Sequence, residues 1–179
     1  EMSELMLHYL AGVLAHAREN CAVLASWVNS YKRLVPGYEA PVYISWANKN
    51  RSAMVRIPQG RGMRTRMEVR NPDSAGNPYL QYAVMIAAGL AGVDKKLDPP
   101  EPVETDIYAL TAAERRKIGI GSLPGSLDEA LVEFEKSELM RETLGSHVFP
   151  HWMYLKRKEW DDYRVHVTDY ELEKYLPIL

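Results

Sequence analysis

Asn77-Pro78 followed by YLQYAVMIAAGLA (79–91) constrains the fold more than any other stretch of the chain. Asparagine accepts hydrogen bonds from the free amides of a helix's first turn. Proline at the first helical position lacks only an N–H that would have no partner there. No residue from 79 to 91 is charged, so the spacing predicts a helix buried on most sides and ending near Gly92.

A helix of that kind needs apolar partners, and the chain supplies them in two periods. Met6, Tyr9, Leu10, Val13, Leu14 and Ala17 recur at helical spacing and predict an amphipathic helix over 3–20. His8 and His16 lie off that stripe and lack the spacing of a helical metal pair, so they read as surface histidines. Val42–Trp46, Ser52–Ile57 and Arg64–Arg70 alternate instead with period two and predict strands. The short links 48–50 and 59–62 suit hairpins and an antiparallel meander. Lys95–Glu104, with Pro99, Pro100 and Pro102, reads as a surface linker. Beyond it, Thr111/Glu114, Ser126/Glu129 and Thr168/Glu171 match the helix-capping box. The expected fold is α+β: an antiparallel sheet covered by helices 3–20 and 77–91 within residues 1–95, then a helical carboxy-terminal region at 96–179.

The formal net charge is -2 and the pI about 6.3, which argues against general nucleic-acid binding. Cys21 is the only cysteine, so no internal disulfide forms and a reducing cytoplasm is expected. No apolar run is long enough to span a membrane. The opening residues EMSELMLHYL already read as helix, as in a piece of a longer protein.

Against that nearly neutral background, residues 50–70 hold six of the chain's 13 arginines (Arg51, Arg56, Arg61, Arg64, Arg66, Arg70), no lysine, and one acid, Glu68. Planar guanidinium groups favour forked recognition of phosphate or carboxylate. If Arg64–Arg70 is a strand, Arg64, Arg66, Glu68 and Arg70 share one face. Several arginines beside a carboxylate suit a polyphosphate held with a divalent metal. Residues 25–41 mix turn formers with Tyr31, Arg33, Tyr38 and Glu39, the composition of a binding loop or lid.

VNSYKRLVPGYEAP (28–41), NRSAMVRIP (50–58), TRMEVRNPDSAGNPYLQYA (65–83) and the ending KRKEWDDYRVHVTDYELEKYL resemble the carboxy-terminal part of a type I glutamine synthetase over essentially the whole chain. The resemblance implies a cytoplasmic dodecamer that joins glutamate and ammonium at the expense of ATP, through a γ-glutamyl phosphate, with Mg²⁺ or Mn²⁺. It implies that Glu68 ligates a metal, and that Arg70 contacts the transferring phosphoryl group. Arg51, Arg56 and Arg66 would hold ATP phosphates, and Arg33 the α-carboxylate of glutamate. Arg51 and Arg70 would also touch the substrate. Glu39 would be the flap glutamate that accepts a proton from ammonium.

Two departures bear on that picture. Ala25-Ser26-Trp27-Val28 stands where the family often has Asn-Pro-Thr, which leaves open a γ-glutamyl-polyamine or other amine ligase. Tyr108 lies near the tyrosine that some members adenylylate, but TDIYALTAAERR resembles members without that control. The family's β-grasp domain, most of its acidic metal ligands and its metal-binding histidine have no counterpart here, so residues 1–179 alone are expected to be inactive. A non-catalytic anion-binding or assembly module is the remaining alternative.

Overall fold

The computed structural model describes residues 2–179. Helix α1 (Glu4–Ala15) starts at Ser3, whose hydroxyl accepts the Met6 amide. Its backbone leaves helical geometry at His16 and resumes as α2 (Ala17–Leu24). The single helix expected over 3–20 is therefore two. The break coincides with His16 turning its ring onto Glu19.

Strand β1 (Tyr43–Ala47) is followed by β2 (Ala53–Arg56) and β3 (Glu68–Val69), and the sheet order is β3-β2-β1-β4, where β4 is Gly121–Ser122. The α+β class holds, but the sheet is mixed: β1 and β2 pair in parallel, with Tyr43 opposite Ala53 and Ala47 opposite Arg56. The antiparallel hairpin expected there is absent because the link climbs back along β1 before β2 starts. Six Cα steps reach at most about 20 Å, and returning to the head of β1 needs only about 13 Å. Asn50 shapes that return. Its side-chain oxygen accepts the Ser52 amide (2.9 Å) and hydroxyl (2.7 Å). The strand expected over 64–70 shrinks to Glu68–Val69, preceded by a 3₁₀ turn at Gly62–Arg64.

Helix α3 (Pro78–Asp94) begins as the Asn77-Pro78 pair requires: the Asn77 side chain accepts the amides of Tyr79 and Leu80. It runs past Gly92, and it is buried on one face only. Val84, Ala88, Gly89 and Gly92 are enclosed, whereas Tyr79, Tyr82, Ile86 and Leu90 are exposed. The two helices expected to cover the sheet pack chiefly on each other. Small residues allow that: Gly12 and Gly92 meet backbone to backbone, and Tyr9 lies against Gly89.

In the remaining chain, α4 (Ala112–Lys117), α5 (Leu127–Lys136), α6 (Glu138–Arg164) and α7 (Asp169–Tyr175) follow. The boxes at Thr111/Glu114 and Thr168/Glu171 form in both directions. At Ser126 only half forms, because the Glu129 carboxylate takes the Gly125 amide (2.9 Å) instead. Helix α6 bends at Gly145 (φ 70°). One buried core joins Leu10, Leu14, Cys21 and Leu24 to Trp46, Met54, Val55 and Ile57, and on to Leu131 and Phe134. Among the described residues no helix is long and apolar enough to cross a membrane.

Candidate active site

The arginine-rich stretch divides into two neighbouring groups. Arg51 and Arg70 line a cavity of about 510 Å³ together with Glu39, Tyr38, Asn50, Ser52, Asp106 and Tyr108. Arg56, Arg66 and Glu68 form an ion cluster on the adjoining strands, where Arg56 stands opposite Glu68 in the β2–β3 pair. Arg61 folds back on the Pro58 and Gly60 carbonyls and Arg64 is exposed, so neither joins a group.

At the cavity, Arg70 is a bracket. Its guanidinium donates to the carbonyls of Arg51, Ala53 (3.0 Å) and Glu39 (3.0 Å), tying the β1–β2 link to the loop that carries Glu39. Arg51 differs. Its side chain is exposed and makes no hydrogen bond or ion pair among the described residues, so its charge is free for an anion.

Of residues 25–41, expected to form a binding loop or lid, only the second half holds a continuous run open to solvent. Tyr31 and Leu34 are buried, and the Val28 amide donates to the Glu159 carboxylate (3.1 Å). Pro36, Gly37, Tyr38 and Glu39 form the exposed tip, turning at Gly37 (φ 90°). Tyr38 is 68% exposed. Only the carbonyls of Glu39 and Ala40 are gripped, by Arg70 (3.0 Å) and by the Tyr108 hydroxyl (3.2 Å).

Arg33 stays outside the cavity. Its guanidinium donates to the carbonyls of Arg70 (3.2 Å), Asn71 (3.2 Å) and Pro72 (3.0 Å). In this structure it fixes the backbone that bears Arg70.

Glu68 is spread between two cations, with one oxygen 3.3 Å from Arg56 and the other 2.9 Å from Arg66. The Arg56 Nε is buried without a partner. Among the described residues no group of three or more His, Cys, Asp or Glu is arranged to hold a metal. One carboxylate already neutralised by two guanidinium groups does not make a Mg²⁺ or Mn²⁺ site, so these residues do not by themselves fit the metal that the resemblance implies.

The stretch read as a linker is pinned to the site. The Trp46 indole donates to the Pro100 carbonyl (2.6 Å), and the Asn50 amide group to those of Val103 (2.9 Å) and Thr105 (2.5 Å). The Glu104 carboxylate takes the Asn48 and Lys49 amides (2.8 and 3.1 Å). What burial Glu104 has pushes its carboxyl up, but those donors outweigh it and hold the group below the ordinary carboxylate value. These contacts join residues some 55 positions apart, so no local pattern announces them. Asn50, Ser52, Asp106 and the structural part of Tyr108 were invisible to periodicity for the same reason.

Residues 1–175 match the family described as glutamine synthetase, catalytic domain. The chain is 53% identical over 175 residues to a glutamine synthetase of Methanocaldococcus jannaschii, covering 98% of this chain and 38% of that protein. It is also 53% identical to that of Thermus thermophilus over 176 residues, covering 98% and 40%. Among solved structures it superposes on "GmaS/ADP complex-Conformation 1" with a TM-score of 0.86 at 35% identity, over 98% of this chain and 40% of the other. It thus spans about two-fifths of the length of the relatives it matches. The chain belongs to the glutamine synthetase catalytic-domain family.

Proposed function

We propose that this chain forms the phosphate-facing wall and flap of a glutamate–ammonia ligase driven by ATP. The observation that carries the reading is the meeting of Glu39, Arg51 and Arg70 around one cavity, with a second arginine group on the adjoining strands. The glutamine synthetases that match at about half identity, and a neighbour solved with ADP, support it.

In this reading the γ-carboxylate of glutamate attacks the γ-phosphorus of ATP, breaking the bond to ADP and forming γ-glutamyl phosphate. Ammonia then attacks the acyl carbon and expels inorganic phosphate. Free Arg51 and bracketed Arg70 offset charge on the transferring oxygens, the largest electrostatic task in such a transfer. Arg56 and Arg66 face the remaining phosphates. Glu39, at the lid tip, takes the proton shed by ammonium, and the closed tip keeps water from the acyl phosphate. Arg33 reaches the α-carboxylate of glutamate only by exchanging its carbonyl partners. Otherwise it acts by positioning Arg70. Glu68 would reach a Mg²⁺ or Mn²⁺ ion only by giving up a guanidinium partner, with the remaining ligands supplied from outside these residues. The setting is cytoplasmic and the assembly a homo-oligomer, a dodecamer by resemblance. Tyr108 carries no AMP in this reading, because its hydroxyl is engaged beneath the lid.

Acceptor competition in the full-length protein tests this. Ammonium is expected to be used in strong preference to putrescine. Equal or better use of putrescine would replace the reading with an amine ligase. Glu39→Ala and Glu68→Ala are each expected to abolish turnover, and a purely structural module would leave it intact.

A further inference from the structure

The flap tip is held by two carbonyls, and only one of its holders belongs to the arginine group. The other is Tyr108. Its hydroxyl donates to the Ala40 carbonyl (3.2 Å), one residue after Glu39, and its side chain lines the same cavity. The ring rests on Tyr43 at 5.7 Å between centroids, tilted by 54°. On Tyr43, in turn, lies the Arg115 guanidinium, 4.4 Å from the ring centre.

Tyr108 is fixed from behind as well. Its amide is capped by the Asp106 side chain (3.0 Å), and Ile107 beside it is fully buried with Ile120 around Tyr43. Arg115 is anchored by donating to the Leu110 carbonyl, and the segment closes onto the sheet where β4 pairs with β1. Residues 106–122 thus form a hoop clamped to β1, and the Tyr108 hydroxyl is where the hoop touches the flap.

We propose that Tyr108 is a positioning residue that sets where Glu39 stands in the cavity, through its hydroxyl on the Ala40 carbonyl and its ring on Tyr43. It touches no reacting atom in this account. With Arg70 on the carbonyl of Glu39 and Tyr108 on that of Ala40, the flap backbone is held on both sides of the peptide after the glutamate. Arg70 is a group that an incoming anion recruits, and Tyr108 is not. When Arg70 turns to phosphate, Tyr108 is the holder that remains.

The consequence for turnover rests on the ligase reading, whereas the consequence for the flap does not. Tyr108→Phe keeps the ring stack and removes only the hydroxyl, so the fold survives. In the full-length protein, hydrogen exchange of the amides at 37–40 is expected to rise roughly fivefold, the size of one lost hydrogen bond, while α3 is unchanged. Inorganic phosphate released per glutamine formed is expected to rise, with the KM for ATP unaltered, because a loosened flap admits water to the acyl phosphate. Unchanged exchange at 37–40, or an equal rise throughout the chain, would overturn the positioning role. Faster exchange with tight coupling would overturn the link to turnover alone. A wild-type protein that forms no glutamine would refute the ligase reading and leave the exchange result to decide Tyr108.

Discussion

The crossing of α1 and α3 and the rim of the cavity are both places where backbone is held tightly, but by opposite means. At the crossing, Gly12 and Gly92 touch directly, and a Cβ at Gly12 would stand 2.2 Å from the Ala88 carbonyl oxygen. Shape alone fixes the contact, and nothing soluble can substitute for it. At the rim, Arg70, Arg33 and Tyr108 hold seven carbonyls by hydrogen bonds. Each of those bonds has a modest net worth, and those of the two arginines can be exchanged for bonds to a ligand oxygen. The chain separates a scaffold that cannot yield from a site whose contacts are replaceable, which suits chemistry that must bind, close and release.

The sharpest way to break that contrast is at the crossing. Gly12→Ala is expected to destabilise the protein by about 3 kcal/mol, because the new methyl meets backbone rather than a flexible side chain. Thermal unfolding reads the loss, and activity per folded molecule should hold. A neutral Gly12→Ala would show that the helices are not locked by shape. Gly37→Ala tests the other region. Nothing lies within 4 Å of its Cβ position, but φ is 90°. The cost is about 1 kcal/mol of backbone strain, with altered flap kinetics and no change at the crossing.

Glu68→Gln should move stability by less than about 1 kcal/mol, since its pairs with Arg56 and Arg66 are partly solvent-screened. A large loss in chemical denaturation would make this cluster scaffold rather than site. The smallest effect is on pH. Glu104 has its folded pKa lowered, so its support of the Asn48 and Lys49 amides is complete above the ordinary carboxylate value of 4.5. It is lost only as pH falls through the lower folded value. Amide shifts of Asn48 and Lys49 should stay flat down to pH 4.5 and move below it. A transition above 4.5 would contradict the assignment.

How much of this was legible depended on distance along the chain. The helix start at Asn77-Pro78 and the boxes at Thr111 and Thr168 were readable because cap and partner lie within three residues. Three of the residues lining the cavity were marked by their chemistry: Arg51 and Arg70 by arginine clustering, and Glu39 by turn composition. The parallel β1–β2 pairing was not readable, because the shape of its link depends partly on Asn50 reaching Val103 and Thr105. Uniform apolarity told that 79–91 is helical but not which face would be covered. The bonds that engage Arg33 run to carbonyls of 70–72, and carbonyls leave no trace in residue identity.

Arg51 gives the most direct test, because it lines the cavity and bonds to nothing whose loss would disturb the fold. Formation of γ-glutamyl hydroxamate, dependent on ATP and Mg²⁺, should be measured in the full-length protein and its Arg51→Ala variant. The account predicts that the variant unfolds at the same temperature and loses roughly 10²–10³-fold in kcat, as when one donor to developing oxyanion charge is removed. Unchanged kcat in the folded variant would contradict it.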